Sequence, residues 1–155
     1  MWINFFTNTF RYNLINENEK ERPMLKITFT DKALDYLKRR EIADKTLILI
    51  TDDGGGKYSI KGGGCSIGSH FSIIWVDQVD PDYPVELEND QGLKIYTSKY
   101  DMTMMGPNMV MDYDAGSLNL RSDEGILDGG VEIGNGAALI KANKNVKMGA
   151  VEWRC

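Results

Sequence analysis

Cysteine and histidine are scarce in this chain. Of 155 residues only Cys65 and Cys155 are cysteines, and His70 is the lone histidine. Two cysteines this far apart do not make a disulfide framework, and they fit a reducing, cytoplasmic setting. No basic run of five or more residues occurs: Lys38-Arg39-Arg40 is followed by Glu41, and the formal net charge is −5. Phosphate binding needs clustered Lys and Arg, so nucleic acid is excluded as a partner. Long apolar runs are absent as well, and none approaches the roughly 20 residues that span a bilayer. The patch of Trp2, Ile3, Phe5 and Phe6 is too short for a secretory segment and lacks a basic start. A soluble cytoplasmic protein without membrane contact is expected.

What the chain does contain is ordinary globular material. Hydrophobic residues make up 42% and charged residues 26% of 155 positions, enough for one domain with a proper core. Composition divides it into an extension over residues 1–23, a domain over 24–133 and a Gly-, Asn- and Lys-rich tail over 134–155. Leu25, Ile27 and Phe29 alternate with polar residues as a half-buried strand does. Thr30 or Asp31 is placed to cap a helix whose apolar face is Ala33, Leu34 and Leu37. Residues 46–51 are apolar without alternation, which predicts a central strand. Residues 57–61 read as a brief strand, 85–88 and 93–97 as a hairpin, and 98–105 as a short helix or turn before Gly106-Pro107. Strands follow at 109–113, 118–120 and 131–133. One helix among many short strands describes a mainly β domain.

The most pointed stretch is Gly62-Gly63-Gly64-Cys65-Ser66-Ile67-Gly68-Ser69-His70. Three successive glycines admit positive φ and close approach of another group, so the thiol sits at a turn. The residues after it, 71–77, are β-branched and aromatic on both parities, as in a strand covered on both faces. Cys65 is a candidate nucleophile or ligand. His70 is a candidate metal ligand beside it, since imidazole and thiolate share several metals. A Cys65–His70 thiol enzyme would need a third group to orient the base, and the sequence supplies none. Gly56-Lys57 is followed by Tyr58, so the phosphate-loop pattern fails. Methionines 102, 104, 105, 109 and 111 read as packing residues. Asp52, Asp53, Asp112, Asp114, Asp123, Glu124 and Asp128 read as a solvated acidic surface.

These residues carry a resemblance. Leu25-Lys26-Ile27-Thr28-Phe29-Thr30-Asp31-Lys32-Ala33 resembles the strand-then-helix start of the HesB-type iron–sulphur cluster biosynthesis family, the A-type carriers. Gly64-Cys65-Ser66-Ile67-Gly68 followed by Phe71-Ser72-Ile73 is similar to that family's first cysteine motif. Residues 93–96, Met109-Val110-Met111-Asp112-Tyr113 and Gly129-Gly130-Val131-Glu132-Ile133 resemble its later strands. The resemblance implies a compact, β-sandwich-like domain with one N-terminal helix over residues 24–133. It implies a protein that is not an enzyme and that carries iron or an iron–sulphur cluster. Its partners would be iron–sulphur assembly or apo-acceptor proteins, and it would form a homodimer. The family holds its cargo with three cysteines, of which Cys65 matches one. The second motif, Cys-Gly-Cys, is missing from residues 134–153, and Cys155 stands outside it. The implied ligands are therefore Cys65, with His70 and Cys155 as auxiliaries. The alternative is a protein-interaction module that keeps the fold and has lost cluster binding.

Overall fold

The structure, a computed structural model, describes residues 25–61 and 70–148. β1 (Ile27–Phe29) buries Ile27 and Phe29 and leaves Thr28 half-buried, the alternation that the sequence shows. Thr30 is the cap of α1 (Asp31–Arg39): its hydroxyl accepts the Ala33 N–H at 3.3 Å and donates to Asp112 Oδ1 at 2.6 Å. One side chain thus starts the helix and pins it to the sheet. Ala33 and Leu37 are buried, while Lys38 and Arg39 occupy the last turn, where cations favour the helix dipole.

β2 (Thr46–Thr51) and β3 (Phe71–Val76) pair antiparallel along their whole length, from Thr46 opposite Val76 to Thr51 opposite Phe71. β4 (Val85–Glu86) and β5 (Lys94–Thr97) make the expected hairpin. The single-turn helix α2 (Lys99–Met102) follows. β6 (Met109–Asp114) and β7 (Ser117–Ser122) join through Ala115 and Gly116, whose φ angles of 50° and 83° match the twist of a two-residue hairpin. β8 (Gly125–Asn135) and α3 (Gly136–Met148) complete the described chain.

The strands form one eight-stranded sheet in the order β1-β6-β7-β8-β3-β2-β5-β4. Its outer strands meet. The Ile27 N–H donates to the Glu88 carbonyl at 2.9 Å, and the Glu88 N–H to the Leu25 carbonyl at 3.1 Å. Beyond this bridge the Gln91 side-chain amide accepts the Phe29 N–H at 3.4 Å and donates to the Phe29 carbonyl at 3.1 Å. The sheet curls until its edges touch, which removes a row of unpaired backbone groups. The class is mainly β, as expected. A sandwich-like packing is not confirmed, because the pairing describes a single curled sheet.

β2 and β3 are covered on both faces, as their unbroken apolar sequence predicts. Leu47, Leu49, Phe71 and Ile73 enter a large core with α1, β1 and β6. On the opposite parity, Ile48, Ile50 and Ile74 meet Tyr58, with Ile60, Tyr83, Leu139 and Ile140 packed around them.

Two expectations need correction. Residues 57–61 are not a strand, because the Ile60 and Lys61 N–H groups go to the Asp52 carboxylate and the Ser59 N–H closes a turn on Gly56. Three helices are described: α1 and the short α2 within residues 98–105 were expected, and α3 was not. Residues 136–148 offer little apolar periodicity, yet the Asn135 side chain accepts the N–H groups of Ala137 and Ala138, as an N-cap does. Leu139 and Ile140 then seat the helix on the second core.

The seat is close. A Cβ on Gly136 would stand 2.5 Å from Val76 Cγ1 and 3.2 Å from the Trp75 carbonyl oxygen. Helix propensity alone favours alanine by about 1 kcal/mol. Overpacking reverses the sign, and Gly136→Ala is expected to lose about 1–3 kcal/mol in urea unfolding. An unchanged or raised midpoint would show that α3 does not rest on β3 in this way.

Candidate functional site

Cys65 and Cys155 lie outside the described residues, which stop at Lys61, resume at His70 and end at Met148. What the structure describes is the frame on either side of the segment that bears Cys65. Asp52 follows directly on β2 and is only 2% exposed. Its N–H donates to the His70 carbonyl at 2.7 Å. Its Oδ2 accepts the N–H of Ile60 at 2.7 Å and of Lys61 at 3.2 Å. Its Oδ1 accepts the Gly54 N–H at 3.1 Å and the Ser59 hydroxyl. A buried carboxylate without such donors would cost several kcal/mol, so the donors and the acid require one another.

A second carboxylate meets the chain where it re-emerges. The Phe71 N–H donates to Asp128 Oδ2 at 2.7 Å, and the Gly130 N–H to Asp128 Oδ1 at 2.8 Å. Asp128 is aimed there by a bulge: Leu118 opposes Val131 and Leu120 opposes Asp128, leaving β8 one residue longer across Gly129-Gly130. The Lys61 ammonium crosses to Glu132 on the same strand at 2.9 Å.

Asp52 and Asp128 were read from the sequence as members of a solvated acidic surface. They are 2% and 8% exposed and bind backbone. The signal was present: each precedes glycine within two residues, and each accepts the N–H two positions on, from Gly54 and Gly130, the turn that aspartate favours. Asp101 is buried too, and takes the Thr51 N–H at 2.9 Å and the Ser98 hydroxyl at 2.6 Å, which fixes α2 to the end of β2.

The run between Asp52 and Lys61 is buckled to the loop before β4. The Lys57 ammonium lies 2.7 Å from both Asp80 Oδ2 and Asp82 Oδ2, and its neighbour Tyr58 donates its hydroxyl to Asp80. Burial works against the Lys57 charge, but the two carboxylates outweigh it and hold its pKa above the usual lysine range. Burial likewise pushes Asp80 up, and hydrogen bonds from Lys57 and Tyr58 overcome this and leave it below the usual carboxylate range. Tyr83 is raised to about 12, first by burial and then by the negative charge of Asp101. A cleft of about 310 Å³ opens beside this buckle, with Thr51, Asp52, Asp53, Ser59, Tyr83 and Asp101 in its wall.

Of the three candidate ligands only His70 is described. It is half-buried, and its carbonyl is committed to Asp52. Among the described residues no group of three or more His, Cys, Asp or Glu side chains is placed to hold a metal ion. The carboxylates nearest the segment are occupied by donors at both oxygens. The described residues therefore do not fit an iron site on their own. No described helix is long and apolar enough to cross a membrane.

The described strands form one curled β sheet, in the sequence Cys65 falls between β2 and β3, and similarity supplies the family. The family model described as iron-sulphur cluster biosynthesis matches residues 25–135. The crystal structure of a candidate Fe-S biosynthesis protein from Lactobacillus acidophilus is 71% identical, covering 79% of this chain and 99% of that one with a TM-score of 0.71. A second candidate Fe-S biosynthesis protein, from Lactobacillus salivarius and described as having a novel fold, is 30% identical over 72% of this chain and 98% of its own, with a TM-score of 0.56. No curated protein shows significant similarity. The chain belongs to the iron–sulphur cluster biosynthesis family.

The buckle predicts an acid limb. A carboxylate whose pKa is lowered in the fold adds stability above its unfolded pKa, near about 3.9, and loses it as pH falls through the folded value. Asp80→Asn should therefore be less stable than the parent from neutral pH down to about pH 4, with the gap closing below that. Urea midpoints across this range check it, and a gap that stays constant with pH would contradict the buckle.

Proposed function

We propose that the chain carries iron or an iron–sulphur cluster as cargo in cluster biosynthesis, with Cys65 as its principal ligand. The observation that supports this is the construction around Cys65. Both ends of its segment are tied by buried carboxylates to β2, β3 and β8, while Gly64 and Ser66 flank the thiol. A glycine-rich segment between two tied ends suits a thiolate that must bind cargo and release it. Family membership supplies the context. The protein acts as a carrier or accessory and not as a catalyst, in the cytoplasm, with assembly proteins or apo-acceptors as partners.

Ligand number shapes the rest of the proposal. Clusters are normally held by four thiolates, and one chain has two cysteines. A homodimer brings Cys65 and Cys155 from each protomer, with His70 as a further donor. A second reading, an interaction module without cargo, draws on the missing Cys-Gly-Cys motif in residues 134–153.

One experiment separates the readings. After anaerobic reconstitution with ferrous iron and sulphide, the parent should show a visible charge-transfer band and bound iron. Cys65→Ser should lose both, and His70→Ala and Cys155→Ser should retain part of each. Iron content per chain that is the same in Cys65→Ser as in the parent would remove Cys65 as the ligand. A colourless, iron-free parent would favour the interaction module.

A further inference from the structure

We propose that the Asn135–Gly136 peptide bond is a deamidation site whose rate is set by the opening of α3, and that its isoaspartyl product unseats that helix. Neither cysteine nor any cargo is involved.

Two demands of the fold meet at this pair, the sole Asn-Gly in 155 residues. Asn135 is the last residue of β8 and lies opposite Trp75 of β3 in the parallel ladder. Its Oδ1 accepts the N–H groups of Ala137 at 3.1 Å and Ala138 at 3.4 Å, and a short polar side chain is what such a cap needs. Gly136 is buried. A Cβ there would stand 2.5 Å from Val76 Cγ1, 3.1 Å from Tyr58 Cε1 and 3.2 Å from the Trp75 carbonyl oxygen, which favours glycine over any larger residue. Cap and seat together set a carboxamide beside a backbone nitrogen that no side chain shields.

The chemistry needs only water. The Gly136 nitrogen gives its proton to solvent base and attacks Asn135 Cγ; the bond from Cγ to Nδ2 breaks, ammonia leaves and a cyclic succinimide remains. Water opens the ring at either carbonyl, giving aspartate or isoaspartate at position 135. Glycine hinders the ring least, since it lacks Cβ and turns most freely. In the fold Oδ1 is bonded over the first turn of α3, and Gly136 is wedged against Val76 and Tyr58. The ring therefore closes when α3 opens. That helix is seated by Leu139 and Ile140, and Asn143 ties it to the carbonyls of Lys57 at 2.8 Å and Ser59 at 3.2 Å. So few contacts make it a unit of low local stability. The two products differ in effect. Aspartate keeps the cap and adds a negative charge, which a helix N-terminus favours. Isoaspartate routes the main chain through the former side chain and lengthens it by a carbon, and a seat too tight for a Cβ has no room for that.

The test ages the full chain in mildly alkaline buffer, natively and in guanidinium chloride, and reads acid at position 135 by peptide-mapping mass spectrometry. The native chain should convert about tenfold more slowly than the unfolded one, or slower still. Leu139→Ala removes one of the two apolar seats without touching the pair, and should speed native conversion about tenfold. Ion exchange then isolates the aged forms. The isoaspartyl form should be cut by trypsin after Lys141 faster than the parent, and Asn135→Asp should be cut at the parent's rate. Asn135 left intact in guanidinium chloride, a native rate equal to the unfolded rate, or a Leu139→Ala rate equal to the native parent's overturns the gating. An isoaspartyl form cut no faster than the parent overturns the unseating. If Leu139→Ala does not fold, Asn143→Asp, which sets an anion against the two carbonyls, is judged by the same criterion.

Discussion

Between the Asp52 carboxylate and the backbone of residues 54, 60 and 61 runs a set of hydrogen bonds that no sheet ladder replaces. They exist because an acid, Asp52, follows directly on β2. Burial makes the arrangement all-or-none: the acid tolerates its 2% exposure only while donors surround it, and those donors lie on the run that leads to Cys65. The same bonds keep residues 57–61 from pairing as a strand. They also turn Tyr58 and Ile60 onto the second core. A single side chain therefore connects the central sheet, the outer packing layer and the base of the thiol segment.

The rest of the fold supports this base. Closure of the sheet through Glu88 and Gln91 fixes β1 and the hairpin β4–β5, so β2 and β3 lie in the middle of a sheet that has no loose edge at that seam. The large core stabilises one face of the pair, and α3 with the buckled loop covers the other. Lys57 holds that loop through Asp80 and Asp82, with its ammonium 5.2 Å from the Tyr58 ring centre, a cation–π distance. Asn143 on α3 reaches the Lys57 carbonyl at 2.8 Å and the Ser59 carbonyl at 3.2 Å. Helix, loop and strand are joined beside the same segment.

Much of this was legible in the sequence. Period-two alternation located β1, β6 and the hairpin, and unbroken apolar runs located β2 and β3 with both faces covered. Thr30 or Asp31 was named as the cap, and Thr30 is the one. What escaped had physical reasons. Asp52 and Asp128 look like surface acids because burial of a carboxylate depends on donors that only folding gathers, the turn at residues 59–61 for Asp52 and the distant Phe71 for Asp128. Residues 57–61 alternate like a strand, but a nearby acid outcompetes a partner strand for their N–H groups. α3 was hidden because a helix seated on tyrosine and isoleucine from other elements needs only Leu139 and Ile140 of its own. The resemblance carried by the cysteine turn pointed to the family that the wider match establishes, whereas Cys65 and Cys155 fall outside the described residues.

We propose that a family fold with few thiols still takes up iron, through the glycine-rich segment that bears Cys65. Native mass spectrometry of the full chain after anaerobic reconstitution tests this most directly, since it reads cargo and subunit number together. The expected result is a dimer whose mass exceeds two chains by bound iron or an iron–sulphur cluster. A spectrum that shows only the metal-free chain, as monomer or dimer, would contradict it.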